Sequence, residues 1–321
     1  MDLVIPFSQA CKSDIALAGG KGANLGELVR AGIPVPPGFI LTTQAYSRFL
    51  RHNRLRPQIQ ALLEGLDPGD SARLNEPSAR IKALITTAPM PPDTEDALLG
   101  AYRPLGDLPV AVRSSATAED TAAASFAGQQ STYLNIEGEE PLLAAVSQCW
   151  ASLYEPRAIV YRAQAGFAEA GVTIAVVVQA MVQAERSGVI FTVDPVSGDS
   201  GKMIVEAVFG LGEAVVSGMI TPDMYLLRKQ PLAIEQKEIA AQERAFTRCL
   251  HAGAADPNEW VEVPPARGRQ QKLTDGEILS LAGLALEIEA HYGCPQDIEW
   301  AEEAGRFYIV QARPVTAGFA G

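Results

Sequence analysis

Two carboxylates, an amide and a guanidinium crowd the end of the chain, in residues 295–316, PQDIEWAEEAGRFYIVQARPVT. The segment reads as two strands joined by a tight turn at 302–305. Successive side chains on a strand point to opposite faces. Asp297 and Glu299 therefore share one face of the first strand, and Ile298 and Trp300 share the other. On the second strand Gln311 and Arg313 share a face, with Tyr308 and Val310 opposite. Four polar groups can converge across one hairpin. Carboxylate and amide oxygens are the hard ligands Mg²⁺ prefers, and the planar arginine fork clamps phosphate oxygens. The set suits a magnesium-bound polyphosphate. The plain alternative is a surface hairpin with ordinary exposed charges.

Three earlier stretches offer related chemistry. Residues 18–26 read AGGKGANLG and lead into a helical apolar pattern at Leu25, Leu28 and Val29. Glycines let backbone approach a phosphate, a helix N-terminus offers N–H donors, and Lys21 adds a mobile cation. The spacing is not that of a Walker A loop, and a purely structural glycine turn is the competing reading. Residues 108–116, LPVAVRSSA, form a strand ending in Arg113, Ser114 and Ser115, where a guanidinium and two hydroxyls can face a phosphate. Residues 117–136 are rich in Ala, Ser, Thr and Gly, poor material for a core. They read as a lid over phosphates that could use Ser125, Gly128 and Thr132, or as a surface linker.

The positioning elements follow from periodicity. Residues 57–103 read as a helical layer, and 172–182 as a buried strand. Its end, residues 179–182, is a candidate adenine contact if it lies on an apolar edge, with a plain core strand the alternative. Residues 187–193 and 203–208 read as further strands of an antiparallel meander. Thr274 and Glu277 form a capping box ahead of a helix with Leu281, Leu284, Ala285, Ile288 and Tyr292 on one face.

At 321 residues the chain can hold two modest domains or lobes. Its net charge of −12 argues against broad nucleic-acid or anionic-membrane binding, though not against ATP. The N-terminus lacks a signal-peptide pattern, and no apolar run is long enough to span a bilayer. Cys11, Cys149, Cys249 and Cys294 form no CxxC pair. Together these lead us to expect a cytoplasmic protein with reduced cysteines and no structural zinc.

Taken in order, AGGKGANLGEL, GIPVPPGFILTTQAY, VAVRSSATAED, ASFAGQQSTYLNI, SGVIFTVDPVSG, EAVFGLGEAVVSG, QDIEW and VQARPVT resemble one family. The pattern is similar to the nucleotide-binding part of phosphoenolpyruvate synthase, pyruvate phosphate dikinase and rifampin phosphotransferase. It runs from about residue 10 to about residue 316. The resemblance implies an α+β, two-lobed ATP-grasp fold with antiparallel sheets and packing helices, closing on Mg-ATP. Residues 1–190 would form the N-terminal lobe, with a lid near 110–136, and 191–321 the C-terminal lobe carrying the hairpin. Matched residue by residue, Lys21 and Arg113 are phosphate-binding, Gly128 and Thr132 belong to the lid, and Gln179 and Met181 sit on the adenine-contacting strand. Glu299 and Gln311 are the implied magnesium ligands, Arg313 binds phosphate and Asp297 supports it.

In this family ATP phosphorylates a histidine on a swivelling domain, releasing AMP and phosphate, and the phosphohistidine carries the β-phosphate onward. His52, His251 and His291 lack the Thr-Ser-His-like context of that residue. The resemblance thus implies a phosphotransferase component that meets its phosphohistidine domain or subunit in trans or in a longer chain. A non-catalytic nucleotide-binding regulatory module and an ATP-grasp ligase releasing ADP are the alternatives.

Overall fold

A computed structural model describes residues 2–65, 71–106, 108–117, 131–164, 173–251, 254 and 256–315. The chain divides into two compact units: Met1–Glu27 with Pro37–Met181, and Leu28–Pro36 with Val182–Gly321.

The first unit contains β1 (Val4–Pro6), most of α1 (Ile15–Arg30), β2 (Gly38–Leu41), α2 (Thr43–His52), α3 (Leu55–Leu63), α4 (Ser71–Thr87) and α5 (Pro92–Tyr102). It continues through β3 (Val110–Ala116), β4 (Thr132–Ile136), α6 (Glu139–Ser152), α7 (Pro156–Gln164) and β5 (Ile174–Ala180). Its five strands lie in the order β1-β2-β5-β3-β4, every neighbouring pair antiparallel. Val110, Val112, Val176 and Val178 enter a core with Phe49, Leu98, Val146 and Trp150 of the helices. Alternation turns Ala111, Arg113, Ser115, Val177 and Gln179 to the other face.

The second unit contains β6 (Arg186–Phe191), β7 (Lys202–Phe209), α8 (Glu213–Val216), β8 (Asp223–Arg228), β9 (Ala233–Glu238), β10 (Arg244–Arg248), β11 (Asn258–Glu262) and α9 (Pro265–Gly268). It closes with α10 (Asp275–Tyr292), β12 (Gln296–Glu303) and β13 (Arg306–Pro314). Six strands form an antiparallel sheet in the order β13-β12-β6-β7-β8-β9. Its core packs Ile278, Leu281, Ala285 and Ile288 of α10 on Ile190, Val205, Leu227, Ile298 and Trp300. The capping box at Thr274 and Glu277 forms as the sequence implies.

The α+β class and the antiparallel sheets agree with expectation. Among the described residues, no helix is long and apolar enough to cross a membrane. The expected boundary after residue 190 differs from the observed division. It cuts through β6, whose pairing with β12 and β7 ties it to the second unit. Residues 28–36 also belong there: Leu28 and Ile33 enter the α10 core, and the Pro34 carbonyl accepts from Ile309 N on β13 at 2.8 Å.

Candidate functional site

The two strands of the terminal hairpin are in the register that brings its polar groups together. Asp297 stands opposite Arg313 and Glu299 opposite Gln311. Arg313 donates to Asp297 Oδ2 from Nε at 2.9 Å and approaches it from Nη2 at 2.8 Å. Gln311 Nε2 donates to Glu299 Oε1 at 3.1 Å. Ala304 and Gly305 make the turn, with φ of 51° and 77°. Positive φ at both central residues gives the turn a twist that matches the strands.

A bulge alters the expected faces. Trp300 pairs with Ile309, so Val310 is the extra residue of β13. Ile309 is fully buried in the core, while Tyr308 and Val310 are only half-buried. The alternation that set Tyr308 and Val310 opposite Gln311 and Arg313 therefore fails beyond the bulge, while Gln311 and Arg313 stay on the face of Glu299 and Asp297.

One residue joins this face that the sequence did not single out. Val205 and Ala207 of β7 point into the core, so Glu206 between them points the other way. Glu206 and Asp297 interact electrostatically. Burial, and then Asp297, raise the Glu206 pKa above the usual carboxylate range. Burial is also the main cause of the raised pKa of Asp297. Arg313 opposes the shift without cancelling it, and Glu299 adds to it. β6 lies between β7 and β12, and Gly188 on it leaves room for close approach: a β-carbon there would sit 1.9 Å from the Glu206 carbonyl oxygen. A lone charge inside the apolar run of residues 203–208 was the available signal for Glu206.

Mg²⁺ is commonly held by one or two carboxylates together with substrate phosphates. Glu299 and Gln311 fit that pattern, because turning over the Gln311 amide would set two hard oxygens side by side. Among the described residues, no group of three or more His, Cys, Asp or Glu side chains could hold a metal by itself.

In the first unit, Arg113 stands opposite Thr132 on β4 and opposite Val177 on β5, and Gln179 stands opposite Ala111. Arg113, Thr132 and Gln179 thus share one face of the sheet. Lys21 and Arg113 are both buried. The two serines after Arg113 are not presented as phosphate ligands. Ser114 shares the core face with Val112, and the Ser115 hydroxyl is bound to the backbone of α1. The premise of an edge strand for adenine also fails. β5 is the middle strand, with Gln179 opposite Gly38 on one side and Ala111 on the other. The amides of Ala180 and Met181 donate to Pro37 O and Pro109 O, both at 2.9 Å. Gly128 and Ser125, with most of the expected lid, lie outside the described residues. The two ends of the lid range, residues 110–116 and 132–136, are sheet strands.

Residues 15–319 match the family described as pyruvate phosphate dikinase, AMP/ATP-binding domain. Among curated relatives, the chain is 46% identical over 322 residues to a probable phosphoenolpyruvate synthase of Methanocaldococcus jannaschii, covering 98% of this chain and 27% of that one. It is 49% identical over 318 residues to a probable phosphoenolpyruvate synthase of Archaeoglobus fulgidus, covering 98% and 41%. A rifampicin phosphotransferase of Streptomyces is 42% identical over 319 residues, covering 99% and 36%. The chain thus spans less than half the length of these relatives.

Proposed function

Because the chain belongs to the pyruvate phosphate dikinase AMP/ATP-binding domain family, we propose that it is the ATP-using component of a dikinase-type phosphotransferase. It binds Mg-ATP, and an imidazole on a swivelling domain or subunit takes the β- and γ-phosphates with release of AMP; water then cleaves the β–γ bond, releasing phosphate and leaving the β-phosphate on the imidazole. The observation that carries this reading is the opposed pairing of Asp297 with Arg313 and of Glu299 with Gln311 on the sheet face away from the core.

The roles follow from the chemistry of each group. Phosphoryl transfer asks the protein mainly for positioning and charge stabilisation. Glu299 and Gln311 would hold Mg²⁺, which when bound neutralises charge on the phosphate oxygens. Lys21, Arg113 and Arg313 offset the charge that develops as the bond to AMP breaks. Asp297 orients the Arg313 fork. Thr132 and Gly128 serve the phosphates, and Gln179 and Met181 serve the adenine end through their side chains, since β5 is a middle strand and not an edge. The relatives are named for different reactions, one a phosphoenolpyruvate synthase and another a rifampicin phosphotransferase. We therefore assign this chain the ATP step and place acceptor choice in other domains.

Product analysis tests the assignment. The chain is mixed with Mg-ATP, with and without a histidine-bearing domain from a relative. AMP formed only when that domain is present supports the reading. ADP formed by the chain alone would overturn it in favour of a kinase or ligase, and nucleotide binding without turnover in both mixtures would favour a regulatory module.

A further inference from the structure

Helix α1 is broken at one residue and bridged at one side chain. Gly19 has φ 67° and ψ 173°, far from helical values, and separates a short first turn from a longer second segment. In an unbroken helix the Gly22 amide would donate to the Ala18 carbonyl, four residues back. The Ser115 hydroxyl instead stands between the two. It donates to Ala18 O at 2.9 Å and accepts from Gly22 N at 3.2 Å. A side chain inserted into the ladder in this way is a recognised cause of a kink.

The position of the break is tightly determined. A β-carbon on Gly19 would lie 2.1 Å from Ser115 O and 2.3 Å from Ser115 Oγ. Positive φ and close approach thus both require glycine there. Ser115 is fully buried, so water is no substitute partner for Ala18 O or Gly22 N at this point.

Lys21 is the residue just before Gly22, at the start of the resumed segment. Arg113 is two residues before Ser115 and on the same face of β3. One hydroxyl therefore joins the backbone that carries Lys21 to the strand that carries Arg113. We propose that Ser115 is a positioning residue: inserted into the α1 ladder, it sets Lys21 relative to Arg113 so that both cations engage the nucleotide phosphates. The inference rests on the assignment of Lys21 and Arg113 to phosphate binding. Ser115 acts through the lysine, since its own proton is given to Ala18 O.

The test is a double-mutant cycle on the full chain, read by calorimetric binding of Mg-ATP and of adenosine. Ser115→Ala should weaken Mg-ATP about tenfold and leave adenosine affinity unchanged. In a Lys21→Met background the same change should cost less than about twofold, because residues acting as one unit are non-additive. Hydrogen exchange at the Gly22 amide should rise in Ser115→Ala. Ser115→Cys keeps a similar shape with a weaker donor and acceptor. It should fall between wild type and Ser115→Ala, and it carries the test if the alanine variant does not fold. Equal losses for ATP and adenosine, or fully additive losses with Lys21→Met, would overturn the positioning role while leaving the functional reading in place. A Lys21→Met chain that binds Mg-ATP normally would remove the lysine assignment and this inference with it. A wild-type chain that binds no Mg-ATP would refute the proposed function itself.

Discussion

Asp297 and Arg313 face each other across the terminal hairpin, and Arg313 reaches one carboxylate oxygen from two nitrogens, at 2.9 and 2.8 Å. The pairing does not offset burial, and the Asp297 pKa remains above its usual range. Glu206 on the same face is raised too. Such carboxylates suit a site completed by a cation.

A carboxyl whose folded pKa exceeds its unfolded value favours folding while protonated. The stability contributed by Asp297 and Glu206 is full below the ordinary carboxylate pKa and is lost as pH rises through their raised folded values. At pH 7 both are therefore a burden on the nucleotide-free chain. Glu206→Gln should raise its melting temperature by about 2 °C and weaken Mg-ATP binding. Paired thermal melts with and without Mg-ATP check this. A lower melting temperature in the free chain would count against the cost of burying the Glu206 charge beside Asp297.

Loss of Glu299 or Arg313 should separate chemistry from folding. Glu299→Ala and Arg313→Ala should each reduce AMP formation with a supplied histidine domain by at least about a hundredfold. Melting temperature should stay within about 4 °C of wild type. Near-normal rates in both variants would remove the hairpin from the site.

Acid sensitivity should come from the start of α10. Arg186 holds Glu277 through two nitrogens, at 2.7 and 3.0 Å, and Glu302 at 2.9 Å. The Arg186 hydrogen bonds, then Thr274, lower the Glu277 pKa to about 2. A depressed folded pKa contributes stability above the unfolded value, and that contribution is lost as pH falls towards about 2. Glu277→Gln should cost about 1–2 kcal/mol at pH 7 and much less at pH 3, measured by urea unfolding at both.

Lys272 and Asp223 form an ion pair at 2.7 Å with both side chains fully buried. Asp223 also accepts from Tyr225 Oη at 2.8 Å, Ala240 N at 3.0 Å and Lys272 N at 2.9 Å. Removing one partner strands the other charge in the interior. Asp223→Asn and Lys272→Met should each destabilise the chain by about 3–5 kcal/mol. The double variant should lose less than the sum, measured in a denaturant series.

The sequence by itself determined what is local. The period-two pattern and the Gly305 turn were legible because strand alternation and a two-residue turn depend on neighbouring residues alone, whereas that turn without a bulge would set Asp297 opposite Ala312 and not Arg313. The Thr274–Glu277 cap was legible for the same reason, since its partners are three residues apart. Only the tertiary structure decided the rest. The bulge at Val310 cannot be read from alternation, because an inserted residue changes the phase without a marker in this sequence. β5 lies in the middle of its sheet because strands distant in sequence pair with both its edges, and an apolar run is compatible with any buried position. Glu206 joins the hairpin face through an intervening strand, some ninety residues away along the chain. Ser115 enters the α1 ladder across a separation of 93 residues to Gly22. Such partners are chosen by packing, which no local pattern encodes.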